Sequence, residues 1–528
     1  MNYTGLVAPL ATASNACPAS LLNSDTLWLI FDMNSDMFSY RNALETTRIS
    51  SQVCREWRSV ILDAPALWGK LIDLDNLLQK RDEWKDEVLH RSGGAPLSIL
   101  GSDFYRNPMP WRDRFPAETF VISILNQHWR RIENLVISSD RRRIDLALLE
   151  SIQKPAPRLR KFHVQFKNPQ NTSHIGELFA NQAPLLESVA IPFKFQLPAP
   201  WLSNIRTILI GGYYFYLSEI IDILKTTPLV ENITVSIRQA LNTTGDTVHA
   251  RPLTLPHLAA VSIAGDFTSG IGILGSLVNI HRATSLEVSL VDITRTKNED
   301  WTTLYQTLFK VLQDHFGVHS PTRTSLILNP KYFSLKAYGH AGSIFQIDLQ
   351  SSIWDQRDIT SFMACKFQMP TFHTTVELDL EFDPDSIKDY NPIFRSFFSS
   401  FSSIRVLTLR HERAIRQVHP QHMDPSEILF PTLETLKFRW YKGGIFATEP
   451  ISQFLVARRE AGYPISNLDL TGYSKDIAQA LMSMDELEEM KGLKILWCRS
   501  GEDGVLEHTC GSGSLWTPIL DLQAVQIM

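Results

Sequence analysis

Three histidines in HERAIRQVHPQHMD, His411, His419 and His422, include an H-x-x-H pair with Glu412 and Asp424 nearby, a donor set of the type that holds zinc. The spacing is generic and a polar loop between structural repeats explains it, so no metal site is assigned. Cys54 is the next candidate, because a thiolate is a strong nucleophile when a neighbouring base or cation lowers its pKa. No histidine lies within 51–62 to do so, and Cys54 reads as a small buried apolar residue. The glycine clusters Gly93-Gly94, Gly211-Gly212 and GDFTSGIGILG at 265–275 lack the Lys-Ser/Thr ending of a phosphate loop and read as turns. G-x-S-x-G, H-E-x-x-H and kinase-type motifs are absent. The expectation is a protein that is not an enzyme and uses no metal or cofactor. Its function is then binding.

Composition narrows the partners. The 528 residues are 44% hydrophobic with a formal net charge of -5, so there is core for several domains or one elongated array. No basic excess offers the phosphate-neutralising surface that nucleic acid requires. Cys17, Cys54, Cys365, Cys498 and Cys510 are scattered without a C-x-x-C pair, which fits a reducing compartment. The first twenty residues contain no Lys or Arg and no long apolar run, and read as disordered rather than as a leader. No stretch approaches the roughly 18 apolar residues of a membrane span. The expected setting is intracellular, cytoplasmic or nuclear, with no membrane partner, and the N-x-Ser/Thr triplets at Asn2, Asn171, Asn232 and Asn242 are read as chance occurrences.

From about residue 130 an apolar pattern at i, i+3 and i+5 recurs. It appears at Ile132/Leu135/Ile137, Leu159/Phe162/Val164, Leu186/Val189/Ile191, Ile205/Ile208/Ile210, Val230/Ile233/Val235, Leu258/Val261/Ile263 and Ala283/Leu286/Val288. Further copies are Leu326 with Leu328, Leu378 with Leu380, Ile404/Leu407/Leu409, Leu433/Leu436/Phe438, Ile465/Leu468/Leu470 and Leu493/Leu496/Cys498. Most copies are 25–32 residues apart, close to the leucine-rich-repeat period of about 20–29. The pattern predicts a bend and a short strand in each unit, with strands stacked side by side because one unit cannot bury its own apolar face. Glu219–Lys225, through Ile220, Ile223 and Leu224, and Ile451–Arg459, through Ile451, Phe454 and Leu455, are predicted helices facing that sheet. Pro157, Pro184, Pro228, Pro256, Pro431 and Pro464 precede strands, where they stop helices. The Asn or Cys that follows the strand in regular leucine-rich repeats is replaced by Lys167, Lys194, Tyr213, Glu412, Tyr441 or Tyr473. About 290–375 breaks the spacing and reads as enlarged repeats or an insertion.

Residues between the inward apolar positions belong to the opposite, accessible face. In the C-terminal repeats these are Glu377, Asp379 and Glu381, then Thr408 and Arg410, Lys437 and Arg439, Asp469 and Trp497. An acidic strand followed by basic ones can steer and register a charged peptide, or can be a solvated strand face. Trp440, Tyr441 and Trp497 are candidate aromatic anchors.

Upstream, residues 21–68 read as three short helices. Leu27, Ile30 and Phe31 carry the first, capped by Asp25 or Ser24. The second runs from Ala43 to Val53 and the third from Cys54 to Leu62, with Val53, Trp57, Val60 and Ile61 at helical spacing. Pro65 then stops the chain while Leu67 and Trp68 fold back. Here D-T-L-W-L-I-F at 25–31, Q-V-C-R-E-W-R at 52–58 and A-P-A-L-W at 64–68 resemble the F-box, in its order and approximate spacing, most closely the expanded F-box families of fungi. The continuation through Leu71–Leu74 and G-G-A-P-L-S-I-L at 93–100 is also similar to those families. One departure is that the usual opening Leu-Pro pair is Leu22-Asn23.

The resemblance implies an α/β fold: a small three-helix F-box module followed by an irregular leucine-rich-repeat horseshoe or solenoid. The expected divisions are 1–20, disordered; 21–70, F-box-like; 71–128, linker helix and loops; and 129–528, the repeats. It implies a substrate-recruiting subunit of an SCF-type ubiquitin ligase. A Skp-type adaptor, and through it a cullin scaffold, would dock on Leu27, Ile30, Phe31, Val53, Cys54, Trp57, Leu67 and Trp68. An unknown protein substrate would meet Glu377, Asp379, Glu381, Arg410, Lys437, Arg439 and Trp497. The alternative is a non-catalytic interaction scaffold whose F-box-like helices serve another purpose, such as capping the solenoid.

Overall fold

Proline is favoured at the second position of a β-turn because its fixed φ matches that position. Five repeat copies open in this way. The amide of Leu159, Leu186, Val230, Leu258 and Leu433 donates to the carbonyl of Ala156, Ala183, Thr227, Leu255 and Phe430 respectively, at 3.0–3.3 Å. Each of those five amides belongs to the first buried apolar residue of its copy. The prolines therefore shape the turn that sends the chain into the strand, as well as ending what came before.

The computed structural model describes residues 22–77, 82–101, 111–139, 142–166, 176–212, 215–237, 252–291, 298–329, 332–350, 370–382, 392–410, 412–419, 428–439, 449–472, 485–498 and 504–513. The chain divides into two compact units, 1–205 and 206–528. The first begins with helices α1 (Ser24–Asn34), α2 (Ala43–Ser50), α3 (Arg55–Leu62) and α4 (Pro65–Gly69). It continues through β1 (Ile72–Asp73), α5 (Leu74–Leu77), α6 (Asp82–Arg91), β2 (Leu97–Gly101), α7 (Trp111–His128), β3 (Ile132–Ser139), α8 (Arg142–Ser151), β4 (Lys161–Phe166) and β5 (Ser188–Ile191). Strands β1 to β5 pair in parallel in chain order. The ladder thus starts at Ile72, inside the stretch expected as linker, because Leu97 and Ile99 of the G-G-A-P-L-S-I-L segment are buried and pair onward to β3.

The second unit contains β6 (Thr207–Gly212), α9 (Leu217–Lys225), β7 (Asn232–Ile237), β8 (Ala260–Asp266), α10 (Phe267–Ser276), β9 (Ser285–Val291), α11 (Asn298–Val318), β10 (Pro321–Asn329), β11 (Tyr332–Gly339) and β12 (Ile344–Gln350). After these come β13 (Glu377–Phe382), α12 (Pro392–Phe398), β14 (Val406–Leu409), β15 (Thr435–Arg439), α13 (Glu449–Glu460), β16 (Asn467–Gly472), β17 (Lys494–Cys498) and β18 (Val505–Thr509). The apolar repeat positions fall in register across parallel strands. Ile208 pairs with Ile233, Val261 and Leu286 in succession, and Leu378 with Leu407, Leu436, Leu468 and Ile495. The sequence repeat is therefore a stacked parallel ladder in a mixed α/β protein. The predicted inward residues of α9 and α13 are buried as expected.

Two details differ. In β17 the buried residues after Leu493 are Ile495 and Trp497 rather than Leu496 and Cys498, since the pair with the larger apolar area takes the core face. In 290–375 the described residues form an inserted antiparallel meander, β10–β11–β12, spliced into the ladder in reverse order. Its outer members β12 and β10 pair in parallel with β9 and β13. A chain of rings holds it: Phe316 lies 4.8 Å from Phe345 and 5.4 Å from Phe372, which stacks on Phe401 at 4.6 Å. Among the described residues no helix is long and apolar enough to cross a membrane.

His315 is buried against the rings of Phe316 and Phe345. Burial, with the nearby His319 and His281, lowers its pKa to about 3. The unfolded chain therefore takes up a proton that the folded chain refuses, and stability falls as pH drops from about 6.5 toward about 3. We expect His315→Phe to remove one proton's share of that slope, about 1.4 kcal/mol per pH unit. Urea melts between pH 6 and 4 check this, and an unchanged slope would refute it.

Candidate functional site

The helical module is assembled from local signals. Asn23, at the site of the missing proline, is the N-cap of α1, and its side chain accepts from the Thr26 N–H at 2.8 Å. This replaces the expected Asp25 or Ser24 cap, since the helix starts one residue earlier and Asn caps as well as Asp. Cys54 caps α3 through its sulfur, which accepts from the Trp57 N–H at 3.4 Å, and it is exposed rather than buried. Pro65 starts α4 at its first position instead of ending the module.

The eight residues nominated for an adaptor separate into two groups. Leu27, Phe31, Leu67 and Trp68 are fully or almost fully buried. The Trp68 indole donates to the Ile61 carbonyl at 2.9 Å, and the Arg91 guanidinium lies over its ring at 4.7 Å. Those four hold the module together. Ile30, Val53 and Cys54 are exposed, and Trp57 is half-buried with its ring edge to Phe31 at 5.2 Å.

The open apolar surface is wider than the nominated set. Leu27 and Phe31, one helical turn apart, face the module's interior. Leu29 and Met33 form the equivalent pair on the other side of α1, 56% and 71% exposed. Trp28, Phe38, Tyr40 and Ile49 are also exposed, and with Ile30 and Val53 they make eight of the nineteen exposed large apolar residues among those described. The exposed large apolar residues of the described chain are thus concentrated in residues 28–53. Beside them a cavity of about 480 Å³ is lined by Met33, Phe38, Tyr40, Asp32, Lys70 and Glu133, with Lys70 bonded to Asp32 at 2.5 Å. The pattern was present in DTLWLIFDM, which is apolar at nearly every helical phase.

The charged strand residues form a different arrangement from an open recognition strip. Arg439 donates to Asp379 at 2.7 Å, passing over Thr408 of the intervening strand. Lys437 donates to Asp469 at 2.6 Å. Arg410 pairs with Glu381 at 2.8 Å and Arg323 with Glu377 at 3.6 Å. Every nominated charge thus has a counter-charge on a neighbouring strand or, for Arg439 and the buried Asp379, two strands away. Burial raises the Glu381 carboxyl more than Arg410 lowers it. Trp497 is in the core, 3% exposed, which removes it from the accessible face for the phase reason given above. Trp440, Tyr441, His411, His422 and Asp424 lie outside the described residues, and His419 is buried against Phe454.

No known family's sequence profile matches the chain, and no curated protein matches it. Among solved structures, an internalin from Listeria monocytogenes strain 4b F2365 is similar over 73% of this chain and 94% of that one, at 11% identity and a TM-score of 0.24. The architecture rests on the strand register.

Two outcomes follow. Trp68→Ala should cost on the order of 3–5 kcal/mol, whereas Val53→Ala should stay within about 0.5 kcal/mol; equal losses in chemical denaturation would contradict this division. For Asp469, burial raises the pKa but Lys437 and the Thr471 hydroxyl and N–H outweigh it, so the carboxyl titrates below its ordinary range. Its contribution is present above about pH 3.9 and lost as pH falls through the native value. The stability gap between wild type and Asp469→Asn should close on acidification, and a gap constant to pH 2 would show that the ion pair contributes nothing.

Proposed function

We propose that this protein is a substrate-recruiting subunit of an SCF-type ubiquitin ligase. One observation carries the reading: α1 has an apolar face in the module's own core and a second, through Leu29 and Met33, in solvent. A surface helix normally keeps one apolar stripe. The second stripe, continued by Ile30, Ile49 and Val53, supplies the area a Skp-type adaptor needs, on a segment that resembles the F-box. The repeats would hold a target protein near the ubiquitin-charged enzyme that the cullin scaffold delivers. Catalysis is then by effective concentration, with no chemistry contributed by this chain.

For the target, Glu377, Asp379, Glu381, Arg410, Lys437 and Arg439 offer paired donors and acceptors rather than a field of one sign. Recognition there would proceed by hydrogen-bond exchange with a polar segment, and long-range steering would be weak.

The second reading, a scaffold whose helices cap the ladder, is favoured by the way the module is joined to it. Trp68 packs edge-on to Trp84 at 6.1 Å, and Gly69 follows so closely on the Pro96 carbonyl that a Cβ would lie 2.3 Å from its oxygen. Deleting residues 1–70 would take Leu67 and Trp68 out of the core, so surface substitutions separate the readings better. In a pull-down with purified Skp-type adaptor, wild type should bind, and Met33→Asp with Val53→Asp should lose at least about tenfold in affinity while keeping the wild-type melt. A folded wild-type chain that does not retain the adaptor would leave the capping scaffold as the account.

A further inference from the structure

In the second unit, the sulfur of Cys510, a ring nitrogen of His508 and a carboxylate oxygen of Glu488 lie within 4.8 Å of one another. His508 and Cys510 are two apart at the end of β18, so their side chains share one face. It is the core face, since His508 stands opposite buried Ile495. Glu488 arrives from the 3-10 turn Asp485–Glu489.

The surroundings fix all three. The Cys510 amide donates to the Leu493 carbonyl at 2.9 Å, and its own carbonyl accepts from Gly492 at 3.0 Å. One carboxylate oxygen of Glu488 accepts from the Gly511 amide at 2.9 Å, which leaves the other turned to His508 Nε2, its hydrogen-bond partner. Gly511 has φ +72°, and a Cβ there would lie 2.7 Å from the Lys491 side chain. This tight turn places a backbone donor behind the carboxylate, as outer partners do for ligating groups.

We propose that Glu488, His508 and Cys510 form a zinc site that fastens the last hairpin of the ladder to the turn before it. Thiolate, imidazole and carboxylate are the donors that Zn²⁺ takes, with three protein ligands leaving one position for water. A thiolate and a carboxylate around Zn²⁺ make a neutral unit. Without the ion the Cys510 thiol is a poor nucleophile: burial, and then the Glu488 charge, push its pKa to about 11. Coordination replaces the thiol proton, which leaves to solvent.

The test uses the full chain, stripped with chelator and titrated with Co²⁺ as an optical probe. A thiolate-to-cobalt charge-transfer band should saturate at one ion per chain, with proton release, and Zn²⁺ should displace it. Cys510→Ser should abolish the band, and Glu488→Gln, at a partly exposed position, should weaken binding by at least about tenfold. No band in the wild type, or a band that survives Cys510→Ser, overturns the site. If Cys510→Ser does not fold, an affinity in Glu488→Gln equal to wild type overturns it on its own.

Discussion

Parallel pairing of equivalent strands is the constraint from which most of this protein follows. When repeat copies stack in register, each side chain stands beside the side chain at the same position of the next copy. Apolar positions then build continuous rows, such as Leu378, Leu407, Leu436, Leu468 and Ile495. The same rule governs charge, because like charges in neighbouring strands would repel. At the strand entrances Glu133, Arg160 and Glu187 alternate in sign and pair at 2.9 and 3.0 Å. On the strand face opposite the apolar rows, Asp379, Thr408, Lys437 and Asp469 form one row, its first two members buried, whose charges are spaced or matched. The exposed pairs among these add little stability each. Their effect is on register, since a slip by one strand position would break all of them together.

A ladder also has edges, and an unpaired edge invites other strands. In the first unit the edge strand β1 is two residues long and follows directly from the helical module. In the second, β18 closes β17 as an antiparallel partner, and the Glu488, His508 and Cys510 cluster lies where that closing strand ends. The inserted meander meets the same demand internally, since both of its outer strands run parallel to the repeats they join. An antiparallel insertion of three strands preserves direction at both seams; one of two would not.

Much of the ladder was legible because i, i+3, i+5 spacing is set by the turn and the strand period, both local. Every predicted apolar triplet from Ile132 to Leu470 is buried. The phase failed at Leu496 and Cys498, where two overlapping apolar patterns compete and only packing decides between them. Side-chain pairing across strands was less legible: Arg439 and Asp379 are 60 residues apart, and nothing local announces their contact. For the converse reason, Cys54 and Pro65 take roles other than those expected. Residue type alone suggests a buried thiol and a helix stop, whereas position at a helix start determines what each does.

The helical module is where sequence and structure together say more than either alone. A run such as DTLWLIFDM is ambiguous by itself, since apolar residues at nearly every phase suit a helix buried on all sides. The structure puts only Leu27 and Phe31 inside and leaves Trp28, Leu29, Ile30 and Met33 outside. If capping the ladder were the module's whole role, its outer face would be polar, as terminal repeats require for solubility. A cap alone does not account for Met33 and Leu29 in water, and the proposed adaptor, covering α1, Ile49 and Val53, would.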